Sequence, residues 1–219
     1  STNAGVSWSQ LASTNNSNFH YSNKILVSPR NNQRVWVATT VGIYRSLDGG
    51  ANFTQVLNAS AVGGCTDMAM QVQGASGFVF ASCGRFGSQG TIHRADDSDA
   101  STFTSVMSLA GQSRSSIAVA PSLESTVYVM ASQGTAGAGP GQYGLHGVYR
   151  STSNGDSGSW TTQRQGNVAP GSTAVKIQQL LLSNPIIALL TECGFGTSQF
   201  FNQGWYDNVL AVEAVLGKF

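Results

Sequence analysis

Asp67 and Asp207 stand where strand-like runs begin, and they are the best-placed carboxylates for cleaving a glycosidic bond. That reaction needs a pair flanking the bond, one donating a proton and the other acting as base or nucleophile. No local motif lifts either above the commoner role of an Asp at a strand start, which is to cap a turn. His20, His93 and His146 lie in different segments without ligand spacing, and the three cysteines form no Cys-x-x-Cys. No metal site and no cofactor are therefore expected. Gly137-Ala138-Gly139-Pro140-Gly141 lacks the strand-to-helix setting and the lysine of a phosphate-cradling loop. The remaining candidates are side chains on glycine-rich stretches: Tyr143 and His146 in one, and Phe200, Trp205 and Tyr206 in another. Such aromatics stack on sugar rings or a protein partner, or pack their loop onto a sheet, and the residues alone leave these readings open.

The elements that would position these groups come from an uncharged chain. Of 219 residues only 10% are charged, with 11 Lys+Arg against 10 Asp+Glu. Soluble proteins average roughly 25%. The basic footprint of a nucleic-acid binder is missing, and no run of about eighteen apolar residues is present to span a membrane. With 41% hydrophobic residues and 26 glycines, the composition suits an all-β protein of the cell exterior. The chain begins Ser1-Thr2-Asn3 without an initiator Met, so we expect a removed signal peptide and an extracellular, cell-surface or periplasmic location. Asn15, Asn52 and Asn58 open N-x-Ser/Thr sequons, which chance also produces in an Asn- and Ser-rich chain.

Three runs alternate branched or aromatic residues with smaller ones, starting at Val35, Phe78 and Val127. Each is preceded by a second run, beginning at Ile25, Met68 and Ile117, and followed by a third, at Ile43, Ile92 and Val148. A fourth closes each unit at Phe53, Phe103 and Trp160. Four strands recurring at this interval have the spacing of β-propeller blades, roughly 45 residues each. We expect an all-β propeller with blades at 20–60, 64–108 and 114–165, a donated outer strand within 1–15, and incomplete blade material at 174–219.

Between the third and fourth runs lies Ser46-Leu47-Asp48-Gly49-Gly50-Ala51-Asn52-Phe53. It closely resembles the Asp-box, Ser-x-Asp-x-Gly-x-Thr-Trp/Phe, of the bacterial neuraminidase repeat family, with Asn52 where Thr is usual. Two looser copies follow, Ala95 to Phe103 without glycines and Ser151 to Trp160 with an insertion. The resemblance covers about residues 8 to 163 and implies the propeller of sialidases, sortilin-type receptors, xyloglucan-cleaving hydrolases and a photosystem assembly factor. In that superfamily the box is a turn on the outer rim, which implies structural roles for Ser46, Asp48, Gly50, Phe53, Ser151 and Trp160. A sialidase would also need an arginine cluster and an Arg-Ile-Pro signature. The signature is absent, and Arg45, Arg94 and Arg150 recur at matching third-strand positions, as structural repetition does.

Cys65 and Cys83 flank one hairpin and are near enough for a disulfide in an exported protein, while Cys193 would be free or paired outside the chain. Three blades fall short of a full ring, and open blade faces expose sheet edges and apolar surface. The expected function is a non-catalytic binding or assembly module, its ring completed by another chain or a second copy, with glycans as a further ligand class. The alternatives are part of a polysaccharide-active glycoside hydrolase and a self-assembling surface or fibre subunit.

Overall fold

Each middle strand of the repeat carries apolar residues on both faces, and this needs sheets packed on two sides. The computed structural model, which describes residues 1–85, 87–134, 144–165 and 208–213, places them that way. Twelve strands form three four-stranded antiparallel sheets in sequential order. The first blade is β1 (Ser22–Val27), β2 (Val35–Thr39), β3 (Gly42–Ser46) and β4 (Thr54–Asn58). The second is β5 (Cys65–Met70), β6 (Phe78–Cys83), β7 (Thr91–Asp96) and β8 (Thr104–Met107). The third is β9 (Gln112–Val119), β10 (Val127–Gln133), β11 (Leu145–Ser151) and β12 (Thr161–Gln165). Among the described residues the only helices are single 3-10 turns.

The first strands β1, β5 and β9 pack side by side, whereas β4, β8 and β12 make no comparable contact. Sheets that converge at their first strands and splay at their fourth are blades around an axis. Between the first two blades Trp36, Ala38, Met68, Val79 and Phe103 form one buried cluster. Between the second and third, Phe80, Ile92, Ile117, Val127 and Val129 form another. Val79 and Phe80 are neighbours on β6 that serve opposite interfaces, the period-two consequence of the pleat.

Each blade carries a β-bulge between its third and fourth strands, and beyond it Arg45, Arg94 and Arg150 pair with Thr54, Thr104 and Thr161. The arginines therefore occupy matching positions. The turn that follows lengthens by one residue from each blade to the next, so the three boxes differ in detail. Val6 to Leu11, expected as an outer strand, forms none: Val6 and Trp8 are exposed, and no described strand pairs with them. A strand needs a neighbour to satisfy its backbone, and alternation in sequence cannot supply one. The expected material at 174–219 lies outside the described residues except for 208–213.

Candidate functional site: the open face of the first blade

On β1 and β2, Ile25 pairs with Val37 and Val27 with Val35, making a four-residue apolar square on one face. The third blade repeats it in the same register, Ile117 with Val129 and Val119 with Val127. The second blade has Met68 with Ala81 and Met70 with Val79. In the second and third blades the square is packed against the preceding blade. In the first it has no preceding blade among the described residues. Ile117 is 4% exposed, while its counterpart Ile25 is 63% exposed and Val27 53%.

The open square floors a cleft of about 450 Å³, walled by Leu11, Phe19, Phe53 and the Gly49-Gly50 turn, with Lys24 at its edge. Phe19 reaches it from the N-terminal segment and packs on Tyr44 and Phe53, with ring centroids 4.9 and 5.1 Å away. Ser13 Oγ donates to the Gly50 carbonyl at 2.6 Å. The segment before β1 thus covers the rim of the face and leaves Ile25 and Val27 bare.

The box turn that borders the cleft is rigid for reasons its residues state. Ser46 Oγ donates to Asp48 Oδ1 and accepts from the backbone N–H groups of Asp48 and Gly50. Asp48 also accepts from the Asn52 backbone and side chain, each at 2.8 Å, so Asn52 does the work of the usual Thr. Gly49 and Gly50 take φ of +69° and +97°, conformations that a side chain would strain. In the third blade Ser151 Oγ accepts from Gly155 N in the same way, and Ser159 Oγ stands in for the missing carboxylate.

Hydrogen bonds from Asn52, first its side chain and then its backbone, and from Ser46 hold the Asp48 carboxyl down at about 2. A depressed carboxyl stabilises the fold above its unfolded value of 3.8, and that contribution is lost as pH falls through about 2. A carboxyl carbon titration by NMR should therefore show a midpoint near 2 for Asp48; a midpoint near 4 would contradict the turn described here.

Polar fasteners join the blades. On the first-strand side, Asp67 accepts from Met68 N and Ile117 N, both at 2.9 Å, and faces Lys24 Nζ at 3.5 Å. Its carboxylate is therefore an inter-blade staple, with Met68 N and Lys24 on one oxygen and Ile117 N on the other. Asp207 lies outside the described residues, as do Tyr143, Phe200, Trp205, Tyr206 and Cys193. His146 is pinned rather than presented: Nδ1 pairs with Tyr149 Oη at 2.7 Å and Nε2 with the Ala110 carbonyl at 3.1 Å. Burial lowers the His146 pKa and pushes the Tyr149 phenol up to about 12, so both are neutral near pH 7. Cys65 and Cys83, directly opposed on β5 and β6, are joined in a disulfide. Among the described residues no cluster of His, Cys, Asp or Glu has the makings of a metal site.

Asp97 is the residue that sequence reading overlooked. Its side chain is fully buried between Arg30 and Arg34, with Arg34 Nη1 at 3.0 Å and Arg30 Nη1 at 3.3 Å. Ser28 Oγ donates to one carboxylate oxygen and Trp36 Nε1 to the other at 3.2 Å. Burial alone would raise this carboxyl, yet the hydrogen bonds from Ser28 and Arg34 and the Arg34 charge keep it below the usual range. On the rim, Arg45 Nη1 donates to the Ser98 carbonyl at 3.4 Å. Arg94 Nη1 donates to the Asn154 carbonyl and to Asp156, both at 2.6 Å. The third-strand arginine of one blade thus reaches the box turn of the next.

Among the described residues these features define an all-β arrangement of four-stranded propeller blades, with the apolar face of the first blade exposed at Ile25 and Val27. No family model matches the chain, and no curated protein matches it. Among solved structures it is similar to an ancestral GH74 enzyme at 20% identity, with a TM-score of 0.48 over 70% of this chain and 19% of that one. It is also similar to the major Malassezia sympodialis allergen Mala s 1 at 12% identity, with a TM-score of 0.42 over 68% of this chain and 50% of the allergen. The chain thus spans about a fifth of the first and half of the second.

Proposed function

We propose that this chain is a non-catalytic binding or assembly module of the Asp-box type, working outside the cell, whose open first-blade face is covered by another polypeptide. The observation that carries the reading is Ile25 at 63% exposure where Ile117, in the same register of the third blade, is at 4%. Contiguous apolar surface of this kind marks a docking face. The box turn at Ser46 to Phe53 supports the family, and the Cys65–Cys83 disulfide supports an oxidising compartment. Under this reading Val6 to Leu11, whose Trp8-Ser9-Gln10-Leu11 echoes Phe53-Thr54-Gln55-Val56, joins the sheet edge of the covering polypeptide.

The rival hydrolase reading is tested through Asp67. Assayed on a panel of soluble glucans, the wild-type chain should show no turnover. Asp67→Asn should lower unfolding free energy by about 1–2 kcal/mol through the weakened bonds to Met68 N and Ile117 N. Turnover that Asp67→Asn abolishes without loss of stability would overturn the proposal.

A further inference from the structure

We infer that the polypeptide covering the first blade docks through an aromatic ring set opposite an arginine on its neighbouring strand, and that Leu11 holds the place of that ring until it arrives. The inference rests on the reading above. The two covered seams show what such a face receives. Trp36 on β2 lies opposite Arg45 on β3, and Phe80 on β6 lies opposite Arg94 on β7, so both aromatics hold one register. Each ring meets the box aromatic of the next blade. Trp36 stands edge-on to Phe103 with ring centroids 5.8 Å apart, and the Phe80 ring shares the space over Gly155 with Trp160. The arginine crosses the seam with the ring: Arg45 donates to the Ser98 carbonyl and Arg94 to the Asn154 carbonyl, each three residues into a box turn.

The first blade offers a receptor for both groups. Gly50 matches Gly155, since each lies four residues past the box serine and donates its N–H to that serine's Oγ. A Cβ placed on Gly155 would lie 2.8 Å from the Phe80 ring and 3.2 Å from Trp160. Placed on Gly50, it would lie 2.7 Å from Leu11 Cδ1 and 3.8 Å from the Phe53 ring. Leu11 therefore sits where the third blade receives a ring from its neighbour. It holds the place weakly, being 48% exposed, and a cleft of about 450 Å³ stays open beside it over Ile25 and Val27. An aromatic ring buries more area than leucine at little cost in side-chain freedom, and so outcompetes it. The arginine's receptor is the carbonyl of Gly49, three residues into the first box turn, which accepts no hydrogen bond among the described residues. Asp48 beside it is ionised near pH 7. The covered turns set an acid near their arginine in the same way, Asp99 close to Arg45 and Asp156 2.6 Å from Arg94. Once displaced, Leu11 is free to join the sheet edge of the covering polypeptide with Val6 to Gln10.

A hairpin peptide with the sequence of residues 34–47, closed by a disulfide between added end cysteines, carries Trp36 opposite Arg45 and serves as the probe. With the hairpin confirmed by cross-strand NOEs and added to isotope-labelled chain, the Gly50 amide and the Ile25 and Val27 methyls should shift together in NMR spectra. Trp36→Ala in the peptide should weaken binding roughly 10- to 100-fold, and Arg45→Ala roughly 3- to 10-fold. In the chain, Leu11→Ala should tighten binding roughly 3- to 10-fold by clearing the slot, and Leu11→Trp should weaken it as much by filling it. Both changes fall on a half-exposed residue and should leave the circular dichroism spectrum unchanged. In the native material, without any peptide, Leu11→Trp should leave Ile25 and Val27 open to hydroxyl-radical labelling. Binding indifferent to Trp36, shifts confined to the other blades, or one direction of change for both Leu11 variants would overturn the inference. So would no binding at all, the result expected if this chain's own residues fill the face. Failure of the hairpin with Ile25 and Val27 protected in assembled wild-type material would defeat the ring alone; failure of the hairpin without that protection would defeat the underlying reading too.

Discussion

Replacing Asp97 by alanine should lower the unfolding free energy by about 3–5 kcal/mol, because it removes the buried carboxylate that two guanidinium groups share and leaves Arg30 only the backbone carbonyls of Gln71, Gln73 and Ser76. Arg34 retains Asp99 at 2.6 Å, but that aspartate is largely exposed and cannot replace a fully buried partner. The Trp36 indole N–H and the Ser28 hydroxyl lose their acceptor at the same time. For a chain of this length the loss should appear as a fall in Tm of roughly 10 °C or more. Asp97→Asn keeps an acceptor and the shape but not the charge, so it should fall between wild type and alanine. Chemical denaturation of the three proteins checks this, and a loss below about 1 kcal/mol for alanine would show that the first two blades are not fastened here.

Phe80→Ala should cost a similar amount, about 3–5 kcal/mol, by a different mechanism. Phe80 is fully buried between the second and third blades, and its ring closes on the third box turn: a Cβ placed on Gly155 would lie 2.8 Å from it. Gly155 takes φ +68°, so a glycine serves that turn twice, by its conformation and by the room it leaves for the ring. Truncation opens a cavity next to Ile117 and Val129 that the packed sheets cannot collapse to fill. Phe80→Leu, which leaves most of the volume occupied, should lose clearly less. Equal losses for the two variants would mean that the cavity argument is wrong.

The contrast between these two sites shows what can be read along a chain. Val35, Phe78 and Val127 announce their strands because both faces of a middle strand are buried, and that doubles the apolar signal. The Ser46 to Phe53 turn is legible because its bonds run between residues two to four apart. Asp97 is not, since Arg34 lies 63 residues away and only the stacking of blades brings them together. A sign was present nonetheless: in a chain so poor in charge, Arg30 and Arg34 against Asp97 and Asp99 are a concentration that needs explaining. His146 looked presentable on a glycine-rich loop, but the chain folds it back onto Tyr149 of its own strand. Val6 to Leu11 has the pattern of a strand and no sheet among the described residues to complete it.

The open face is legible only in structure. Ile25 and Val27 have the same residue types and spacing as Ile117 and Val119, and nothing local distinguishes a covered square from a bare one. Hydroxyl-radical footprinting of Tyr21, Ile25 and Val27, in the dilute single chain and in the assembled native material, shows most directly whether another polypeptide covers the first blade. Strong labelling of all three is expected in the single chain, with protection of Ile25 and Val27 to the level of Ile117 in the assembled material. Equal labelling of Ile25 and Val27 in both states would show that nothing covers the first blade, and the assembly role would fall with it.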